Sequence, residues 1–322
     1  MILAGDIGGT HTRLALFEAN QELNFIAQQK FRSREYKGLE EIAQQFLGDQ
    51  KVAKACFGVA GAIQEGRCHA TNLPWVVDSF QIAKALQIPL VHLLNDLEAN
   101  AYGVKVLKPS ELFVLQEGKP QLGNQALISA GTGLGEAGIF WDGSMHRPFA
   151  CEGGHVDFAP RNALEMELLS FLQKKFDHVS YERVISGPGL YSIYQFLVET
   201  GHETMSDEVR ENIKQADPPV VISTYWREKK DRACERAVDW FLSLYGAEAG
   251  NLALKFLTLG GLYIGGGIAP RLWDKIKDSS FLSSFSAKGR FKPLLESMPI
   301  SIILNDSAAL LGAAEFARLY ES

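Results

Sequence analysis

Cysteine is scarce in this chain. The four present, Cys56, Cys68, Cys151 and Cys234, are scattered, with no CxxC pair among them. That argues against a zinc knuckle and a disulfide scaffold, and it suits a reducing cytoplasm. Long apolar runs are missing too. The most apolar stretch, 237–268, is broken by Asp239, Glu248, Asn251 and Lys255. A membrane span needs ~20 uninterrupted apolar residues, so this stretch reads as a buried helix and a strand. Asp6 interrupts the first apolar run and no basic segment precedes it, so no secretory signal is expected. Positive charge is in deficit: 32 Lys and Arg stand against 38 Asp and Glu, a formal net charge of −6. Nucleic acid is therefore not expected as the main partner. A small anion remains possible, because backbone N–H groups and one metal ion suffice to hold it.

Glycine, by contrast, is plentiful at 30 residues, and it is clustered. Leu3-Ala4-Gly5-Asp6-Ile7-Gly8-Gly9-Thr10 leads into Arg13-Leu14-Ala15-Leu16-Phe17. Leu127-Ile128-Ser129-Ala130-Gly131-Thr132-Gly133-Leu134-Gly135 leads into Ala137-Gly138-Ile139-Phe140. Each reads as strand, tight turn, strand. Successive N–H groups in such turns make an anion-binding hollow. Two such hairpins on two halves of one chain suggest a phosphate chain clamped between two domains. About two domains is also the length prior for 322 residues.

Residues 2–7, 12–18 and 23–31 read as a three-strand meander, 37–47 and 79–86 as helices, and 52–59 and 91–94 as buried strands. Strands alternating with helices point to an α/β fold with parallel members. Helices are expected near 162–175, 187–199, 206–214 and 229–257, and a strand at 261–264. Pro270 opens the next helix. A strand at 300–304 leads to a helix at 308–320, with Asp306 or Ser307 as its cap. This last helix is expected to pack back on the first domain, with both chain ends on one side.

Four places carry candidate chemistry. Asp6 beside the first turn could orient Mg²⁺ through water, with Thr10 on a phosphate oxygen; the plainer reading is an Asx cap. Ser129 stands where Asp6 does in the second hairpin, so one carboxylate would place one metal. Asn95-Asp96 ends an apolar strand, where α/β sheets bind ligands. Asp96 is a candidate general base for phosphoryl transfer to an alcohol, and equally a helix N-cap. In Glu152-Gly153-Gly154-His155 the glycines bring a carboxylate and an imidazole together, a pair suited to sugar hydroxyls. Glu182 would add an acceptor, or sit on the surface, or pair with Arg183. A metal at Glu152 and His155 is the weaker alternative, since no third ligand is near. Gly265-Gly266-Gly267 ends a strand ahead of a helix, either a bed for adenosine or a tight connection.

In this order the motifs resemble the bacterial glucokinase family, within the hexokinase/actin/chaperone-ATPase superfamily. The likeness runs through Thr71-Asn72-Leu73-Pro74-Trp75, Ile185-Ser186-Gly187-Pro188-Gly189 and Asn305-Asp306-Ser307-Ala308. It implies a two-lobed actin-like ATPase (ribonuclease H-like) fold with a ligand cleft. The small domain would be 1–108 plus 305–322, the large one 109–304, with sugar and ATP between them and hinges near 108–110 and 304–306. It also implies transfer of the γ-phosphoryl group of Mg-ATP to the 6-hydroxyl of glucose, in a cytoplasmic homodimer. Asp96 would be the base. Asn95, Asp96, Glu152, His155 and Glu182 would bind glucose. Gly5, Asp6, Ile7, Gly8, Gly9, Thr10, Gly131, Thr132, Gly133, Gly265, Gly266 and Gly267 would bind nucleotide. The family commonly has Asn where His11 stands, which bears on hydrogen bonding in that turn. A related group carries a zinc-binding cysteine cluster after the Glu-Gly-His region; its absence here favours the zinc-free branch. Competing readings are a kinase for another hexose or amino sugar, an actin-like filament ATPase, and a sugar-sensing regulator. The last needs a helix-turn-helix ahead of Leu3, where no room is left.

Overall fold

A computed structural model of the chain describes residues 1–19, 22–70 and 73–320. Thr71 and Asn72 of the resemblance, and residues 321–322 of the expected small domain, lie outside the described residues. In chain order the elements are β1 (Ile2–Ile7), β2 (His11–Ala19), β3 (Leu23–Arg32), α1 (Leu39–Leu47), β4 (Lys54–Val59), β5 (Ile63–Gln64), β6 (Arg67–His69), β7 (Val76–Asp78), α2 (Ser79–Leu86), β8 (Leu90–Asn95) and α3 (Asp96–Val104). There follow β9 (Leu112–Gln116), β10 (Gln125–Ala130), β11 (Leu134–Trp141), β12 (His146–Cys151), α4 (Ala163–Leu172), α5 (Gly187–Glu199), α6 (Asp207–Gln215), α7 (Pro218–Glu228) and α8 (Arg232–Phe256). Last come β13 (Gly261–Gly265), α9 (Ala269–Ile276), α10 (Phe281–Ser286), α11 (Lys292–Glu296), β14 (Ile300–Ile303) and α12 (Ala308–Leu319).

The chain divides into two compact units. The first is Met1–Leu112, Ala137–Ala150 and Asn305–Ser322; the second is Phe113–Glu136 and Cys151–Leu304. The expected large domain ran unbroken over 109–304, whereas here the outer part of the β11–β12 hairpin falls with the first unit. Arg147 in that segment hydrogen-bonds Tyr320.

The first unit is built on a sheet of order β3-β2-β1-β4-β8, with a small ribbon β5-β6-β7. β1 pairs antiparallel with β2, and parallel with β4, which in turn runs parallel to β8. Alternation along β1 sends Ile2 and Ala4 to one face and Leu3 and Ile7 to the other. Ile2 and Ala4 join Cys56, Leu94, Ala99 and Ala313 under α3 and α12. Leu3 and Ile7 join Phe57, Val59, Ile42 and Ile82 under α1 and α2. A sheet buried on both faces explains why its parallel strands read as continuous apolar runs. The closing helix does pack on this unit. The Met1 carbonyl accepts from Ala53 N at 3.0 Å and the Tyr320 carbonyl from Lys54 Nζ at 3.3 Å, so Met1 and Tyr320 both meet the start of β4.

The cap expected from Asp306 or Ser307 is not made. Ser307 holds the N-cap position of α12 without a side-chain cap bond. Asn305 Oδ1 instead accepts from Ser307 N at 2.8 Å. The Asp306 carboxylate stands 3.0 Å from the Arg13 guanidinium, a charge-assisted partner that an uncharged N–H does not match.

The second unit is built on the sheet β12-β11-β10-β13-β14-β9, with β10, β13 and β14 parallel. Its core wraps the 25-residue α8, whose Val238, Phe241, Leu242 and Tyr245 are fully buried. The sequence reading placed one helix over 229–257 and none over 215–228. In the structure α7 precedes α8, separated by Lys229 in a left-handed conformation (φ 52°), and Asp231 caps α8. Pro218 and Pro219 open α7, where a missing N–H costs no helical bond. No helix among the described residues is long and apolar enough to cross a membrane.

Candidate active site

The first unit assembles two of the expected motifs at one sheet edge. Parallel pairing sets Ile7 beside Val59 and Val59 beside Asn95. The first glycine turn and Asn95-Asp96 therefore leave the sheet at its carboxyl edge, where α/β proteins place ligands. Local geometry separates the roles of Asn95 and Asp96. Asn95, with φ −60° and ψ 148°, is the N-cap of α3. Its Oδ1 accepts from Leu97 N at 2.9 Å and Glu98 N at 3.4 Å, and its Nδ2 donates to the Gly61 carbonyl at 3.2 Å. Asn95 is thus the cap, with one amide N–H beyond those bonds. Asp96 is the first helical residue, half-buried, its Oδ1 accepting from Leu97 N at 3.0 Å.

Within the first turn, Gly5 is buried against Phe57 and Leu14, and Ile7 is a core residue. Neither presents a side chain to a ligand; Gly8, Gly9 and the exposed Thr10 form the turn itself. Gly8 N donates to the His11 carbonyl at 3.0 Å, a bond indifferent to the side chain at that position. The His11 imidazole is held below its usual range by lost solvation and by Lys30, Arg32 and Arg13. Burial pushes the Asp6 carboxyl up, Arg13 pulls it down, and Asp306 pushes it up again. The Arg13–Asp306 pair beside Asp6 was missed in the sequence because 293 residues separate its members.

The second unit brings the other two glycine clusters together. Ser129 of β10 pairs with Gly265 of β13. Ile268 N donates to the Ala130 carbonyl at 3.2 Å, and Gly187 N to the Gly131 carbonyl at 2.8 Å. Gly266 has φ +83°, and a Cβ on it would overlap the Ala130 carbonyl. A cavity of about 490 Å³ opens here, lined by Gly131, Thr132, Gly187, Pro188, Asp217 and Gly267 among others. Its size is that of a small-molecule site. Leu190, Pro219 and Leu272 supply apolar wall, while Ser223 and Arg271 add polar groups. Sequence reading missed the contributions of α5, α7 and α9. The one local signal was Ser186-Gly187-Pro188-Gly189, since Ser186 Oγ caps α5 by accepting from Gly189 N at 3.0 Å.

The third group sits on two short 3₁₀ turns, Gly153–His155 and Tyr181–Arg183. Tyr181 N donates to the Val156 carbonyl and Phe158 N to the Val179 carbonyl, joining the two segments. Glu152 and His155 are exposed, with Nε2 3.9 Å from Oε2. Glu182 Oε2 accepts from Leu134 N at 3.0 Å, at the end of the second glycine turn. Arg183 lies over the Phe176 ring rather than pairing with Glu182.

No cluster of three or more His, Cys, Asp or Glu suited to a metal occurs among the described residues. That donor set still fits magnesium, which is often held by one carboxylate plus water and phosphate oxygens. Asp6, pushed up by burial, stands beside the turn with Arg13 and Asp306 near it.

The glucokinase family model matches residues 3–320. A glucokinase of Nostoc punctiforme is 43% identical, with 98% of each chain covered. The crystal structure of a glucokinase from an Antarctic psychrotroph superposes with a TM-score of 0.87 at 30% identity, covering 99% of both chains. A ROK-family glucokinase from Streptomyces griseus, solved with glucose and AMPPNP, has a TM-score of 0.67 at 20% identity over 99% of each chain and shares the fold. The architecture is the actin-like ATPase fold, and the chain belongs to the glucokinase family.

Proposed function

We propose that Asp96 takes the proton from the 6-hydroxyl of glucose as that oxygen attacks the γ-phosphorus of ATP. The O6–P bond forms, the bond from phosphorus to the β–γ bridging oxygen breaks, and glucose 6-phosphate and ADP leave. Family membership makes the chain an ATP-dependent hexose kinase; the roles of individual residues are our reading. The observation that carries it is the level register of Ile7, Val59 and Asn95, which sets Asp96, the first residue of α3, at the carboxyl edge of the sheet.

Glu152, His155 and Glu182 are read as partners of the sugar hydroxyls, each of which both donates and accepts. The remaining Asn95 N–H would reach a further hydroxyl. Gly131–Gly133 and Gly265–Gly267 hold the nucleotide, its base in the cavity beside Pro188 and Pro219. Asp6 would hold Mg²⁺ through water, and the ion when bound offsets charge on the β- and γ-phosphates. Four free thiols, three of them buried, suit a cytoplasmic site. A homodimer rests on the family likeness and is checked by light scattering.

The substrate is tested by ADP release with Mg-ATP over glucose, mannose, fructose and amino sugars. The highest kcat/KM is expected for glucose; an equal or greater value for another hexose overturns that choice. The nucleotide site is tested by Gly266→Ala. Left-handed backbone and overlap with Ala130 combine there, so the ATP KM should rise about tenfold or more. The glucose KM should stay near its original value. An unchanged ATP KM would place the nucleotide elsewhere.

A further inference from the structure

Beneath the Glu152–His155 turn lies a carboxyl that the reaction above does not use. Glu136 of β11 is 1% exposed and Glu248 of α8 is 0% exposed. A Cβ on Gly153 would overlap Glu136 Oε2, and one on Gly154 would overlap the Leu134 carbonyl. Cys151 Sγ donates to the Glu136 carbonyl at 3.3 Å. The turn is therefore seated on β11 at Glu136, by side chain and main chain together.

The two carboxyls are unequally supplied. Glu248 Oε2 accepts from Asn251 Nδ2 at 2.7 Å, and its Oε1 from Lys255 Nζ at 3.3 Å. Lys288 Nζ, bonded to Asn251 Oδ1 at 2.5 Å, adds a second positive charge facing Glu248. Glu136 Oε1 is buried with no hydrogen-bond partner among the described residues, while its side chain shares a hydrogen bond with Glu248. Two buried carboxylates in contact cannot both ionise cheaply. Asn251 and Lys255 serve Glu248, and Glu136 is the member that keeps a proton, which it donates to Glu248. The other titratable groups facing the pair are the thiol of Cys151 and the phenols of Tyr181 and Tyr245, all pushed up by burial and neutral.

We propose that Glu136 is a positioning residue for the sugar site: its neutral carboxyl, wedged against Gly153 and bonded to Glu248, sets where Glu152 and His155 stand and so sets hexose affinity. This rests on the reading of Glu152 and His155 as hexose contacts. Burial, then the Glu248 charge, push the Glu136 carboxyl up to about 8, against the pull of Lys255. Below that pH the seat is neutral. Above it, a second anion enters the same buried space and repels Glu248, and the turn on Gly153 moves.

The test is glucose KM and kcat between pH 6 and about 9.5 for the wild type, Glu136→Ala, Glu136→Gln and Glu152→Gln. Glucose KM of the wild type should rise about fivefold across the alkaline limb, with kcat at saturating glucose following a separate profile. Glu136→Ala should raise KM about tenfold at pH 7, changing kcat less than about twofold. Glu136→Gln, neutral and isosteric, should restore the pH 7 KM and flatten the alkaline rise. If Glu136→Ala loses its cooperative thermal transition, the Glu136→Gln profile decides by itself. An alkaline rise that persists in Glu136→Gln overturns the positioning role, while a raised KM in Glu152→Gln leaves the sugar reading standing. A Glu152→Gln variant with unchanged KM overturns the sugar reading, and this proposal with it.

Discussion

Asp96→Ala is expected to lower kcat about 10²–10⁴-fold, with the glucose KM shifting by less than about threefold. A base acts on the transition state, so its loss falls on kcat and on kcat/KM equally. Removing a binding contact would instead raise KM. Position alone makes Asp96 a candidate; the cap assignment makes the experiment clean. Asn95 caps α3 through two backbone N–H groups, so truncation at Asp96 leaves that anchor in place. Asp96→Asn should behave like Asp96→Ala in kcat, because an amide accepts no proton at neutral pH while preserving shape. Circular dichroism and the melting midpoint should match the wild type for both variants. A kcat near the wild-type value in either one removes Asp96 from the mechanism.

The largest stability effect is expected from Gly312→Ala. A Cβ there would overlap the Ala99 carbonyl and crowd Gly103 N, and a Cβ on Gly103 would overlap the Ala308 carbonyl. α3 and α12 therefore meet backbone to backbone over the core of Ile2, Ala4 and Leu94. Neither side offers a flexible side chain that can swing away. Forcing one methyl into such a contact costs about 1–3 kcal/mol, occasionally more, which lowers the melting midpoint by about 2–5 °C. Because α3 begins at Asp96, the shift should also reduce kcat, unlike an ordinary destabilising change. Differential scanning calorimetry together with kcat below the transition checks both parts. An unchanged midpoint would mean that the two helices stand further apart than the structure has them.

Much of this architecture was legible residue by residue. Helices 79–86 and 187–199 agree with the sequence reading end for end, because each carries its own start signal: Asp78 and Ser186 accept from the first N–H groups. The glycine turns were visible because a tight turn constrains only the few residues within it. What stayed hidden depended on partners far along the chain. Asn95 and Asp96 are both capable of capping, and only the extended conformation of Asn95 assigned the task. α7 was passed over, although Pro218-Pro219 suit the first turn of a helix. Glu136 carries no signal in the sequence; only its contact with Gly153 marks it.

Composition and short-range pattern by themselves determined an α/β chain with two glycine turns between strands, a carboxylate at a strand end, and a glycine-spaced Glu–His pair. These follow from backbone sterics and side-chain periodicity, which act over a few residues. Tertiary structure alone decided that Asp306 serves Arg13 rather than a helix cap, that the second and third glycine clusters line one cavity, and that a buried carboxyl lies against Gly153 of the Glu152–His155 turn. Each depends on burial and on charges brought together from distant positions, and those interactions exist only once the chain has folded.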